Sequence, residues 1–174
     1  MTQNLTYLVA TPHMIGNMFE RSVILLLDHN AEGAMGLIVS LQTQMPISEL
    51  LPNAKDCPDL AWLGGPVDPQ VGWCLYERPT GKSGEAQLSD DLYVTSSLDV
   101  LQDVMKREGH FMLILGYAGW GPGQLEEETH LGSWLFLESG PELALHVPAA
   151  EKWDRAWEAL GVNPASLVAG GAQA

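Results

Sequence analysis

The chain has 174 residues, 46% of them hydrophobic, and sets 22 acidic side chains against 8 basic ones for a formal net charge of −14. That length suits one domain, and a chain of this size buries roughly 70% of its unfolded surface, so a substantial core is available. Eight scattered bases do not make the Lys/Arg footprint that grips a phosphate backbone, which excludes direct nucleic-acid binding as the expected activity.

The N-terminus "MTQNLTYLVATP" lacks the basic and apolar regions of a signal peptide. The longest apolar runs, "SVILLL" and "FMLIL", fall far short of the roughly 20 residues a membrane helix requires. A cytoplasmic protein with no membrane association is expected. Cys57 and Cys74 do not form a CxxC pair and are expected as reduced thiols.

A first strand is expected over 6–10. Residues 22–29, "SVILLLDH", and 34–40 flank "NAEG", the turn chemistry of a hairpin closed by Gly33. Both segments are apolar at consecutive positions, so each should be covered on two faces. "PISELLP" reads as one short helix. In "WLGGPVD", residues 62–68, Gly64 and Gly65 before Pro66 suit a tight turn whose amides could form an anion nest, although a strand exit and turn is the plainer reading. Strands follow at 71–77 and 91–95, separated by "RPTGKSGEAQLSD", 78–90, which lacks periodicity and reads as a long surface loop. "SSLDVLQDVMKREG" has Ser96 three residues before Asp99 as a cap, an apolar stripe of Leu98, Leu101, Val104 and Met105, and Gly109 as its end.

"FMLIL" opens a strand over 111–117 that leads into "GYAGWGPGQLEEE", residues 116–128. The glycines match neither G-x-G-x-x-G, because Glu126 stands where the third glycine belongs, nor a Walker A loop, because Pro122 and Gly123 replace Lys and Ser/Thr. A helix starting near Gln124 and ending about two turns later at His130 places Glu126, Glu127 and Glu128 in its first two turns. They suit its positive end and oppose a bound anion. At an effective dielectric of about 20, two like charges ~5 Å apart repel by about 3 kcal/mol. The segment therefore reads as a strand-to-helix turn, with Gln124 and Glu126 locking it by hydrogen bonds or presenting it to a partner.

Glu126 and His130 share a helical face, but two ligands do not make a metal site, and the chain has no HExxH or Cys/His pairing. No metal and no cofactor are expected. "LGSWL" lacks the closing glycine of a serine-nucleophile turn, and no catalytic residue is nominated. Strands at 133–137 and 143–147 precede "PAAEKWDRAWEALG", a helix with Pro148 in its first turn, Gly161 at its exit and a stripe of Trp153, Ala156, Trp157 and Leu160. Lys106, Arg107, Lys152 and Arg155 are expected on the solvated faces of the two long helices. "VAGGAQA" reads as a frayed end. Eight short strands and few helices indicate a mixed α+β single domain with a sheet packed between layers.

"FERSVILLLDHNAEGAMGLIVS", "LGGPVD", "TSSLDVL" and "LGYAGWGPGQLE", with Trp134 and the stretch from Trp153 to Gly161, resemble the YqgE/AlgH family of bacterial proteins over roughly residues 5–162. The resemblance implies a mostly antiparallel, barrel-like, bifurcated sheet flanked by a few helices, and a role in transcriptional regulation of alginate synthesis in pseudomonads. Its motif positions include Phe19, Arg21, His29, Gly64, Gly65, Pro66, Gly119, Trp120, Gln124 and Glu126. The chain departs from the family at "IGNMF", where Asp-Pro is usual ahead of Phe-x-Arg-Ser, and at "GGAQA", where Gly-His-Ala is common.

Two function classes follow. The preferred one is a regulatory or interaction protein with an unknown protein partner, acting indirectly on transcription. The alternative is a small-molecule or nucleotide binder or enzyme, its site formed by the two glycine turns, Arg21, and Arg78 and Lys82 of the 78–90 segment.

Overall fold

The computed structural model describes residues 4–166. Among these residues, ten strands form one branched sheet: β1 (Leu5–Ala10), β2 (Val23–Asn30), β3 (Gly33–Ile38), β4 (Gln42–Pro46), β5 (Leu60–Leu63), β6 (Val67–Tyr76), β7 (Glu85–Ser89), β8 (Leu92–Thr95), β9 (Phe111–Trp120) and β10 (Trp134–Ser139). Five α-helices accompany them: α1 (Ile47–Leu50), α2 (Leu98–Lys106), α3 (Gln124–His130), α4 (Glu142–Leu145) and α5 (Lys152–Leu160). The main path runs β10-β1-β2-β3-β9-β6-β8-β7, with β4 and β5 branching from β9. All pairings are antiparallel except β5 with β9. This is the mostly antiparallel, curled half-barrel α+β architecture that the resemblance implies. Among the described residues, no helix is long and apolar enough to cross a membrane.

The period-2 alternation of the strands sorts the core onto two faces. On the inner face Tyr7, Val9, Val23, Leu25, Leu37, Leu75, Met112 and Ile114 pack with Leu143, Ala144, Ala156 and Trp157 from α4 and α5. The intervening residues Leu8, Ile24 and Ile38 pack outward with Leu125 of α3 and Trp134, and they are joined by Ala118 and Trp120, which lie beyond a break in the alternation at Gly116. Farther along the sheet Cys74, Tyr76 and Leu113 pack outward with Val100, Leu101 and Val104 of α2. The consecutive apolar residues of β2 and β3 are thus covered on both faces, as their pattern requires.

Several local expectations change. In place of the strand expected over 143–147, residues 143–145 form helix and His146 and Val147 its exit: Pro141 at the N-cap, Glu142 in the first turn and the good helix formers Leu143 and Ala144 outweigh the short apolar pattern. The 78–90 segment contains β7, whose polar "EAQLS" hides a strand at the sheet edge. The carboxylate of Glu85 gathers the preceding turn, accepting from Tyr76 Oη at 2.5 Å, Thr80 N at 3.0 Å and Gly81 N at 2.9 Å. The cap of α2 is Ser97, which accepts from Val100 N, and Leu98 faces solvent while Val100 is buried. Lys152, expected in solvent, is 1% exposed. Its Nζ donates to Val39 O and Ala144 O at 2.6 Å each and lies 4.2 Å from the Trp62 ring centre, joining α5 to the sheet. Both cysteines are free thiols. The "VAGGAQA" tail lies outside the described residues.

Candidate functional site

The glycine-rich signature is mostly strand. β9 continues through Gly116 and Gly119 to Trp120, so only the residues from Gly121 to Gly123 form the turn. The first half of β9 pairs with β6 and, in parallel, with β5 through Trp62↔Ile114 and Leu63↔Leu115. The second half pairs with β3 through Met35↔Gly119 and Ala34↔Trp120. The sheet forks between these halves, at Gly116, whose φ of 73° is open to glycine at little cost.

The turn at Gly64 and Gly65 fills this fork. Gly64 N donates to Leu115 O at 2.7 Å and Gly64 O accepts from Ile38 N at 2.9 Å. A Cβ at Gly65 would stand 2.2 Å from the backbone of Tyr117. Close approach of two backbones explains these glycines. The amide of Gly64 is already committed to the sheet and is not offered to an anion.

On the outer face, β9 delivers Trp120 and β10 delivers Trp134 to a concavity of about 400 Å³. Its lining includes Met14, Asn17, Phe19, Pro66, Gly119, Gln124 and Glu128. The indoles meet edge to face with centroids 6.1 Å apart, and Phe19 packs edge-on to Trp134 at 5.9 Å. Glu128, one turn after Gln124 on α3, organises the group. Its Oε1 accepts from Trp120 Nε1 at 3.0 Å and Trp134 Nε1 at 2.9 Å, and its Oε2 accepts from Gln124 Nε2 at 2.9 Å. Gln124 Oε1 in turn accepts from Gly121 N at 2.9 Å, so one helix face closes the turn and clamps both tryptophans.

The nominated residues divide. Pro66, Gly119, Trp120 and Gln124 line this cleft. Glu126 instead bonds His29 Nε2 at 3.1 Å, tying α3 to β2. A backbone hydrogen bond within Glu126 and the one from His29 hold its carboxyl below the usual value. Arg21 lies over the Trp153 ring at 4.5 Å and pairs with Asp154 at 3.8 Å. Arg78 donates to Glu108 O, and Lys82 pairs with Asp99 at 3.2 Å. Trp120 thus lines the cleft, Gly65 packs on the β9 backbone beside it, and Arg21 points its guanidinium to α5. Sequence reading passed over Glu128, Met14 and Asn17; the i, i+4 spacing of Gln124 and Glu128 was the available signal for the first.

The sequence profile described as AlgH-like matches residues 7–165. A UPF0301 protein of Idiomarina loihiensis is 36% identical over 166 residues, spanning 90% of each chain. One from Paracoccus denitrificans is 37% identical over 182 aligned positions, spanning 95% of each. The solution structure of AlgH from Pseudomonas aeruginosa is similar with a TM-score of 0.77 at 31% identity, covering 95% of this chain and 92% of that one. A Corynebacterium diphtheriae crystal structure at 23% identity and a TM-score of 0.75 shares the fold. With the fork, the glycine turns and the tryptophan clamp in place, the chain belongs to the AlgH-like, UPF0301 family.

Proposed function

We propose that this protein is a cytoplasmic regulatory protein that works by binding another protein, with the cleft at Trp120 and Trp134 as the recognition point. The carrying observation is the state of the cleft's carboxylate. Glu128 accepts three side-chain hydrogen bonds from the cleft's own residues, so it shapes the walls instead of attacking or protonating a substrate. What the cleft offers a visitor is apolar surface from Met14, Phe19 and Pro66 beside the polar side chains of Asn17 and Gln124, over the largely buried indoles, a mixture that can hold the anchor side chain of a partner. Ile15, beside Met14, and Leu131, between α3 and β10, are 74% and 69% exposed, unusual for large aliphatic residues.

Charge selects the partner. Glu20, Glu126 and Glu127 are exposed on the segments that flank the cleft, on a chain of net charge −14. The complementary occupant is a basic protein segment carrying one aromatic or aliphatic anchor. A regulator of this charge acts on transcription through such a partner, not by gripping DNA.

Peptide selection against the intact protein tests this, followed by titration of the selected peptides while observing the Trp120 and Trp134 indole N–H resonances. Basic peptides with a single apolar anchor, shifting both indole signals, are the expected result. Selection of acidic peptides, or shifts confined to residues away from the cleft, would overturn it.

A further inference from the structure

We infer that Glu77, His110 and His146 form a binding site for a divalent transition metal of the zinc class, separate from the tryptophan cleft. Topology brings the three together. In the antiparallel β6–β9 ladder the last pair is Tyr76↔Phe111. One step farther, the register sets Glu77 opposite His110. Side chains alternate along a strand, and Leu75 and Met112 point to the inner face, so Glu77 and His110 share that face. α4 packs against the same face through Leu143 and Ala144, and its C-cap residue is His146. His146 Nε2 stands 3.2 Å from Glu77 Oε1, and the His110 and His146 rings meet with centroids 4.3 Å apart at 71°. One ligand atom from each residue falls within 4.8 Å of the other two.

This donor set matches a known coordination chemistry. Two imidazoles and a carboxylate are hard-to-borderline ligands that suit Zn²⁺, with M–N and M–O bonds of about 2.0–2.2 Å. Tetrahedral bonds of that length place ligand atoms about 3.4 Å apart, a spacing the Glu77–His146 pair already has. His110 is exposed, so a turn of its ring that moves the ligand atom by at most about 1.4 Å, the difference between 4.8 Å and the tetrahedral spacing, closes the remaining gap. Three protein ligands leave one position of a tetrahedral shell for water or another small donor. His110 and His146 are exposed, which gives that fourth donor an approach, and Glu77 and His110 also border a concavity of about 350 Å³. Arg78 and Arg107 border the same concavity, but both guanidiniums are bonded to backbone carbonyls, of Glu108 and of Arg78 and Pro79 respectively. Arg107 moreover lies over the Tyr76 ring, across the strand from Glu77.

The test uses the full chain after treatment with a chelator, titrated with Co²⁺ alone and then displaced by Zn²⁺. The expected result is a saturable visible d–d band at one Co²⁺ per chain, lost on adding Zn²⁺, with the His110 and His146 ring resonances broadened by Co²⁺. Each of His110→Ala, His146→Ala and Glu77→Gln should weaken binding at least about tenfold, since a ligand is worth no less than its outer-shell supports. All three side chains are at least partly exposed, so the variants should keep the parent's metal-free unfolding midpoint. If one of them fails to fold, either of the others decides. His29→Ala, which breaks the His29–Glu126 pair between β2 and α3, should leave Co²⁺ affinity unchanged. Absence of a saturable band, undiminished binding in the folded site variants, or loss of binding in His29→Ala instead would overturn the assignment.

Discussion

Replacing Lys152 by Met should change the pH dependence of stability more than stability itself. Lys152 is 1% exposed, and burial lowers its pKa from 10.5 to about 7. At about 1.4 kcal/mol per decade of proton affinity, this is a bias of about 5 kcal/mol against the ammonium in the folded state. Between those two values the unfolded chain binds more protons than the folded one, so stability rises with pH there. Integrated from pH 6.5 to 9, the lysine adds about 2.5 kcal/mol to the wild type. The Val39 and Ala144 carbonyls and the Trp62 ring favour the ammonium, which makes that figure an upper value. In Lys152→Met the ammonium's burial cost disappears together with two charge-assisted hydrogen bonds of about 1.5–3 kcal/mol each, so near neutral pH the net change is small. Urea unfolding followed by tryptophan fluorescence, at pH 6.5, 7.5 and 9, measures both proteins. Histidine and thiol titrations are common to the pair and cancel in the difference. The wild type should gain on the variant by about 1 to 2.5 kcal/mol across this range, the span set by linkage and its offset. Parallel curves would refute the view that a buried, desolvated amine joins α5 to the sheet.

Gly65→Ala should cost at least about 3 kcal/mol, because the new Cβ meets the Tyr117 backbone at 2.2 Å, whereas Gly121→Ala, with its nearest neighbour at 3.9 Å, should cost under about 1 kcal/mol; urea midpoints decide, and equal costs would contradict the packed fork. Glu128→Gln should lose about 1.5–3 kcal/mol and move both indole N–H resonances, since one amide oxygen replaces the charged acceptor of two indoles and its NH₂ confronts Gln124. Burial would raise the Glu85 carboxyl, but hydrogen bonds from Thr80, Tyr76 and Gly81 outweigh it and hold the pKa below the reference 4.5. Its contribution is therefore present above that value and lost as the pH falls through the folded-state one. Glu85→Gln should accordingly speed amide exchange at Thr80 and Gly81 at neutral pH, and in the wild type the same acceleration should appear only on acidification.

Periodicity and turn chemistry made most of the frame legible. The β2–β3 hairpin, α2, α5 and the strand entering the signature turn are all local: a run of apolar residues, a cap and a glycine suffice to mark them. Strands β4 and β7 escaped because "QTQMP" and "EAQLS" are mostly polar edge segments without an apolar pattern to mark them, although β7 pairs with the very next strand through Ser89↔Leu92 and only β4 reaches farther, through Gln42↔Trp62. The reading of 143–147 failed because a short apolar run carries no length to separate helix from strand. Motif spacing argued against the phosphate-loop readings of "GYAGWGPGQLEEE". Only the tertiary structure showed why its glycines are there: β9 changes neighbours at Gly116, and Gly64 and Gly65 enter the fork against its backbone. The same holds for the chemistry. Glu128 becomes the acceptor for two tryptophans because β9, β10 and α3 converge, and Lys152 becomes buried because α5 docks across Val39. Glu77, His110 and His146 come from a strand end, a strand start and a helix cap, so no window of sequence contains them. Local pattern determines which segments become strand or helix; which distant side chains share a site is decided by sheet register and helix docking, and those depend on contacts between segments that the sequence keeps apart.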